Sequence, residues 1–231
     1  MLIASTLAAV LATSTPSDPH YAEVLFMFDT SGSTADYQRA FHGVALSYAN
    51  SQLTRFGNGN VRVAMVQYGR RDGQVILRKF TSNPSSIYAM LSSEWENSGQ
   101  IEKVTDIGKF MLDYLGWSTS DDVVRTVEIM GNESPEQGKV LLNQFIGSAL
   151  TKRTRLNSVY APTQEYSSSP EPWRLMSDST GGEFVELSQE GNVYYTGIFN
   201  ACYQDLQNQR QLAEMGKYLD KLQERQVGRG H

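Results

Sequence analysis

Residues 24–34 read VLFMFDTSGST, an apolar run that ends in one carboxylate and two hydroxyls at alternate positions. Such a run, closed by a turn, is typical of a strand covered on both faces, as in parallel α/β sheets. In open α/β sheets ligands bind beyond the carboxyl ends of such strands. Asp29, Ser31 and Ser33 there offer one charged and two neutral oxygens. The segment therefore predicts a loop, turned tightly at Gly32, that binds Mg²⁺ or a similar hard cation.

The same loop has a structural alternative, in which Asp29, Ser31 or Thr34 caps the helix that follows. Both interpretations can hold together, because the cap and the ligand can be different residues of one loop. The bare D-x-S-x-S spacing is common, so its position directly after an apolar strand is the observation that favours metal binding.

The composition of the chain limits the class of protein. Its 231 residues are 40% hydrophobic and 19% charged, which suits one α/β domain with a sizeable core. The net charge is −5 and no long basic run occurs, which argues against a nucleic-acid partner. Cys202 is the only cysteine, so neither an intrachain disulfide nor a thiolate metal cluster can form.

The N-terminal segment has the form of a signal peptide. Residues 2–12 are small and apolar, and the turn-rich stretch 13–19 follows them, although no basic residue precedes the run. An ordinary N-terminal arm is the alternative. No stretch is long and apolar enough to span a membrane. We therefore expect a secreted or cell-envelope protein with a signal-like segment at 1–19, a domain at 20–195 and a C-terminal amphipathic helix at 196–231.

Hydrophobic spacing and turn residues predict strands that alternate with helices. The predicted strands lie at 24–28, 61–68, 74–80, 123–130, 156–161 and 183–187. The predicted helices lie at 36–56, 84–95, 104–115, 138–150, 172–179 and 198–226, the last either continuous or broken near Gly216. The turn at 69–73 predicts that 74–80 pairs antiparallel with 61–68. The pattern indicates a doubly wound, mainly parallel α/β sheet with one antiparallel edge strand and helices on both faces.

Four short motifs follow one another along the chain: FDTSGS at 28–33, VRVAMVQY at 61–68, TDIGK at 105–109 and STGGEF at 179–184. Together they resemble the von Willebrand factor type A family, which includes the integrin inserted domains. The similarity extends from about Tyr21 to the C-terminal helix. It implies a six-stranded sheet with one antiparallel edge strand, in agreement with the pattern of strands and helices.

The resemblance also implies a metal-ion-dependent adhesion site made by three loops. Asp29, Ser31 and Ser33 match the first loop in full. Thr105, at the start of a helix, is similar to the threonine of the second loop, with capping of that helix as the structural alternative. The third loop departs from the family pattern, because Asn132 stands where the family has the aspartate of Thr-Asp-Gly.

The amide at Asn132 removes one negative charge beside the ion but keeps an oxygen. The affinity for Mg²⁺ or Mn²⁺ should therefore fall, to the point where the site can be empty. Glu133 or Asp106 compensates if its loop turns it inward. The alternative is that both are solvated loop carboxylates.

Three functions are compatible with these residues. The first is a binding module, not an enzyme, that recognises an acidic residue of a protein partner through the ion. Asp29 would orient or bind the ion, Ser31 and Ser33 would bind it directly, and Thr105 would bind it directly or through water. The second is a metal-free scaffold of the same fold, which Asn132 favours. The third, a phosphotransferase similar to the haloacid dehalogenases, is weaker, because Ser31 stands where their acidic aspartate acts.

Overall fold

The computed structural model describes residues 19–70, 73–93, 99, 102–163 and 168–204. Its strands are Tyr21–Asp29 (β1), Val61–Tyr68 (β2), Ile76–Thr81 (β3), Val123–Gly131 (β4), Thr154–Tyr160 (β5) and Phe184–Glu186 (β6). They form one sheet in the order β3-β2-β1-β4-β5-β6. β3 runs antiparallel to β2 at the edge, and the other neighbours are parallel. The predicted mainly parallel sheet with one antiparallel edge strand is confirmed.

Helices cover both faces of the sheet. They are Gln38–Phe56 (α1), Pro84–Leu91 (α2), Val104–Tyr114 (α3), Leu142–Thr151 (α4), Glu171–Thr180 (α5) and a helix over 189–204 (α6). A 3-10 helix, Gly32–Tyr37, leads into α1. One core cluster joins the sheet to α1, α2 and α6, and the other joins it to α3, α4 and α5.

β1 is buried on both faces, as its apolar run predicts. Val24, Phe26 and Phe28 belong to the core on the α1 side, and Leu25 and Met27 belong to the core on the opposite side. Each of the five side chains is at most 1% exposed. Because both faces are covered, this strand carries no alternation of polar and apolar residues.

The predicted start of α4 at residue 138 is wrong by four residues, because the helix begins at Leu142. The segment before it is hydrogen-bonded to α3 and is not helical. The Asp106 carboxylate accepts the backbone N–H of Lys139 at 3.1 Å and that of Val140 at 2.6 Å. Two hydrogen bonds to a distant carboxylate thus fix these residues in a non-helical conformation ahead of α4, which a periodic pattern cannot reveal.

The other helix predictions are correct in type, and α1, α3 and α5 lie within two residues of their predicted bounds. α2 ends at Leu91, and Trp95 lies outside the described residues. α6 begins at 189 and not at 198. Gly43 of α1 has no side chain, so the added part of α6 packs closely on α1: a Cβ on Gly43 would overlap the carbonyl of Tyr195. The predicted continuation of this helix to 226 and the signal-like segment before residue 19 also lie outside the description. Within the described ranges, no helix is long and apolar enough to cross a membrane.

Candidate metal centre

The carboxyl ends of β1 and β4 lie side by side in the middle of the sheet, where Phe28 pairs with Met130. Along the chain β1 is followed by β2 on one side of it, whereas β4 is followed by β5 on the other. The strand order therefore reverses between β1 and β4, and such a switch point is where open α/β sheets bind ligands. Asp29 ends β1, and Asn132 directly follows β4.

Hydrogen bonds connect four of the predicted site residues. Asp29 is fully buried, and its Oδ1 accepts the backbone N–H of Ser31 at 2.8 Å. The hydroxyls of Ser31 and Ser33 lie 2.9 Å apart. Ser33 Oγ donates in turn to Asn132 Oδ1 at 3.3 Å. The structure thus brings Asp29, Ser31, Ser33 and Asn132 together at one edge of the sheet.

The first loop is also stabilised internally, but by contacts other than the helix cap of the structural alternative. Thr34 Oγ1 lies 3.1 Å from the carbonyl oxygen of Asp29 and 3.0 Å from that of Ser31. Ser31 precedes the 3-10 helix, but its side chain makes no capping hydrogen bond. The loop is therefore closed by the Asp29 carboxylate and the Thr34 hydroxyl, which leaves the hydroxyls of Ser31 and Ser33 available to a ligand.

Thr105 shares no hydrogen bond with this group among the described residues. Its hydroxyl is buried in the first turn of α3 and donates to the carbonyl oxygen of Val140 at 2.7 Å, with that of Pro135 at 3.3 Å. The helix cap is Lys103, so Thr105 does not cap α3 either. Its observed contacts hold the loop between β4 and α4 against α3, and its role as an ion ligand stays a prediction.

The two carboxylates considered as replacements for the missing charge are also engaged elsewhere. Asp106 binds the backbone of the loop before α4, as described above. Glu133 is half-buried, and its carboxylate accepts a hydrogen bond from the side chain of Gln137. Both carboxylates therefore accept hydrogen bonds from neighbouring residues and are not simply solvated. Neither forms a hydrogen bond with Asp29, Ser31 or Ser33 in the region that the structure describes.

Glu102 is a member of the site that the sequence did not indicate. It precedes α3, is fully buried and lies beside the side chains of Asp29 and Ser31. Burial raises the pKa of Glu102, and the charge of Asp29 raises it further. Burial likewise raises the pKa of Asp29. Two carboxyls side by side in a buried site cannot both be charged unless a cation compensates them, so the pair holds either a shared proton or an ion.

The side chains present fit a hard divalent cation. Asp29 Oδ2 and both carboxylate oxygens of Glu102 are buried and have no hydrogen-bond donor among the described residues. Buried polar atoms nearly always have a partner, and a cation would supply one to all three oxygens. The described residues contain no group of three or more His, Cys, Asp or Glu that could hold a metal. Hydroxyl, amide and water oxygens would therefore complete the shell, as suits Mg²⁺ or Mn²⁺.

Gly69, which follows β2, shapes the cavity around Asp29. Its φ is +79°, and a Cβ there would lie 2.8 Å from Asp29 Oδ1 and 3.1 Å from the backbone nitrogen of Ser31. We expect Gly69→Ala to cost about 1–2 kcal/mol for the left-handed backbone alone. It should cost more in total, because the new methyl group displaces the carboxylate. Urea unfolding with and without Mn²⁺ measures both the loss of stability and the loss of ion binding.

Gly181 provides the matched control for this substitution. It caps α5 with φ +67°, and a Cβ on this residue would have no heavy atom of the described residues within 4 Å. Gly181→Ala should therefore show the backbone cost alone and leave the response to Mn²⁺ unchanged. Equal losses of stability in the two variants, with the ion response intact in both, would show that Gly69 does not shape the site.

Comparisons with known proteins show the fold. No family model and no curated protein sequence matches the chain. A solved structure of proximal thread matrix protein 1 from the mussel byssus is 14% identical, with a TM-score of 0.58 over 80% of this chain and 48% of that one. Another, with a zinc-occupied MIDAS motif, is 13% identical, with a TM-score of 0.57 over 80% and 46%. The chain spans less than half of the mussel protein, and the likeness shows a von Willebrand factor type A-like fold.

Proposed function

We propose that this protein is a binding module that recognises an acidic group of a protein partner through a divalent cation. The observation that carries this proposal is the convergence of Asp29, Ser31, Ser33 and Asn132 at the switch point of the sheet, around buried oxygens that have no donor among the described residues. The zinc-occupied MIDAS motif of the mussel protein of similar fold supports it.

The chemistry of recognition follows from the ligands of the ion. Asp29 would supply charge, and the hydroxyls of Ser31 and Ser33 would supply neutral oxygens. Of the three predicted ligands in this loop, Ser33 is partly exposed, whereas Asp29 and Ser31 are buried. A partner therefore approaches from the Ser33 side. A hard cation that keeps several waters can exchange one of them for a carboxylate oxygen of the partner.

One observation favours the metal-free scaffold as a second candidate function. The hydrogen bonds from Ser31 through Ser33 to Asn132 satisfy both hydroxyls without an ion. An aspartate at position 132 would instead place a third carboxyl near those of Asp29 and Glu102. A cation would then be needed to compensate the three negative charges. The scaffold would then bind its partner by helix and loop surfaces of the same fold.

Selection of peptides from a random displayed library distinguishes these functions. The library is exposed to immobilised protein in millimolar Mg²⁺, and bound peptides are released first with EDTA and then with acid, so that metal-dependent and metal-independent binders are both recovered. We expect the selected peptides to share an Asp or Glu, to lose binding when that residue becomes Asn or Gln, and not to bind a Ser31→Ala/Ser33→Ala variant. Peptides that bind equally in EDTA and to the variant would favour the metal-free scaffold.

A further inference from the structure

Glu102 is held in the site by a hydrogen bond of its backbone and by contacts of Gly99, three residues earlier. Its N–H donates to Gln137 Oε1 at 3.1 Å. Just before it in sequence, Gly99 pairs with the first loop: Ser31 and Gly99 form a β-bridge, and the carbonyl of Gly99 accepts the N–H of Gly32 at 3.1 Å. These contacts fix Gly99 against the D-x-S-x-S loop and the backbone of Glu102 against Gln137, with the carboxyl of Glu102 beside Asp29.

No basic side chain of the described residues forms an ion pair with this carboxyl. The ion pairs found among the described residues involve neither Asp29 nor Glu102. The further charge that acts on both is negative, from Glu133. A buried carboxylate without a donor or a cation is strongly unfavourable. A glutamate whose two oxygens are buried and lack donors among the described residues, beside a second such acid, needs either a proton shared with that acid or a cation, and the Ser31 and Ser33 hydroxyl oxygens of the adjoining loop favour the cation.

We propose that Glu102 is a direct ligand of the cation and supplies, from the α3 side of the site, the negative charge that Asn132 does not supply from the β4 side. This inference rests on the proposed function, since it requires the ion. Asp29 and Glu102 together balance the two charges of the ion, whereas Asp29 alone would leave one of them unbalanced. The acidic ligand is thus present in the chain but at a different loop.

This arrangement changes what the partner contributes. With two carboxylates from the chain, the ion is held without help from a partner's acid. The oxygens of Ser31, Ser33 and Asn132 remain as neutral ligands around it. Binding of the ion and binding of the partner are therefore separate events, and the ion alone is a sufficient probe of the role of Glu102.

Calorimetric titration of MnCl₂ into EDTA-stripped protein tests the inference. Glu102→Gln keeps the size and burial of the side chain but removes its charge, and we expect it to weaken Mn²⁺ binding by roughly 10–100-fold or more. Adding Asn132→Asp to that variant restores the second charge from the other side and should recover most of the affinity. Glu133→Gln removes the nearby half-buried charge and should change the affinity less than about threefold, since removing a charge that does not bind the ion has a small effect.

A thermal melt of the metal-free proteins separates a ligand from a structural residue. Metal-free Glu102→Gln should melt at or above the temperature of the wild type, because one of two adjacent buried carboxyls is gone. A lower melting temperature would show that the carboxyl supports the fold and would overturn the inference. Unchanged Mn²⁺ affinity in Glu102→Gln would also overturn it, and would leave the proposed function intact.

Two further outcomes are distinguishable. If Glu102→Gln weakens Mn²⁺ binding and adding Asn132→Asp does not recover it, the inference that Glu102 supplies the charge missing at Asn132 would be overturned. Wild-type protein that binds no Mn²⁺ at millimolar concentration would overturn the proposed cation-dependent function, and this inference with it.

Discussion

Trp173→Ala should lower the free energy of unfolding by about 3–5 kcal/mol, the usual loss for a fully buried tryptophan. Its side chain is 0% exposed in the core between the sheet and α5. A loss of this size lowers the melting temperature of a chain of this length by roughly 6–20 °C. Calorimetry, or thermal unfolding followed by far-ultraviolet circular dichroism, measures the change.

The same indole holds the third loop of the site. Its Nε1 donates to the carbonyl oxygen of Glu133 at 2.9 Å, and its ring packs so closely on Gly131 that a Cβ there would lie 2.8 Å from the ring. Trp173→Phe keeps most of the apolar contact but removes the donor. We therefore expect it to cost about 1–3 kcal/mol and to weaken ion binding through the released loop.

Trp117→Ala is the control for both substitutions. Trp117 is half-buried, follows α3 at the opposite end of the sheet, and packs edge-on against Phe80. Its loss should destabilise the protein less and leave the ion affinity unchanged. If Trp117→Ala and Trp173→Phe changed the Mn²⁺ affinity to the same extent, the indole of Trp173 would have no special role in positioning the loop.

Metal-free protein should melt at a higher temperature when Mg²⁺ or Mn²⁺ is added. An ion that binds only the folded state contributes about 2.7 kcal/mol at one hundred times its Kd. For a domain of this size the expected rise is roughly 5–10 °C. The rise should saturate with the ion and disappear in Ser31→Ala/Ser33→Ala, because that variant loses the two hydroxyls that lie 2.9 Å apart in the first loop.

A second pair of serines provides the control. Ser51 and Ser148 donate to helix carbonyls, at 2.7 Å to Tyr48 and 2.9 Å to Gln144, at exposed positions on α1 and α4. Their double alanine variant should keep the full response to the ion. If wild-type protein showed no rise at millimolar ion, the metal-free scaffold would become the better description of the protein.

Much of the fold was accessible from the sequence, because its signals are local. The apolar run of β1 is long enough to indicate burial on both faces, and Gly57 and Gly73 mark the turns that bound β2 and its antiparallel neighbour. The errors fall where tertiary contacts override local preference. α4 starts late because Asp106 binds the residues before it, and α6 starts early because Gly43 lets it pack against α1.

The candidate site was accessible only in part, for a similar reason. Asp29, Ser31 and Ser33 lie within five residues, so a local motif places them together. Thr105 precedes a glycine at the start of a helix, as a ligand would, yet its hydroxyl binds the carbonyl of Val140, which no local pattern shows. Glu102 lies in a polar stretch without periodicity, and nothing in that stretch indicates its complete burial.

The central position of β1 has a consequence for the chain during its synthesis. β1 is the first of the six strands to be made, yet the N–H of His20 at its start bonds Asp122, 102 residues later, in the turn before β4. A ribosome that adds about 5–20 residues per second leaves β1 without this neighbour for roughly 5–20 s. During that time one edge of an apolar strand is open to pairing with other nascent chains. Asn132 emerges only after β4, so an ion held at the proposed site would find its full set of ligands only in the finished sheet and would not protect the growing one.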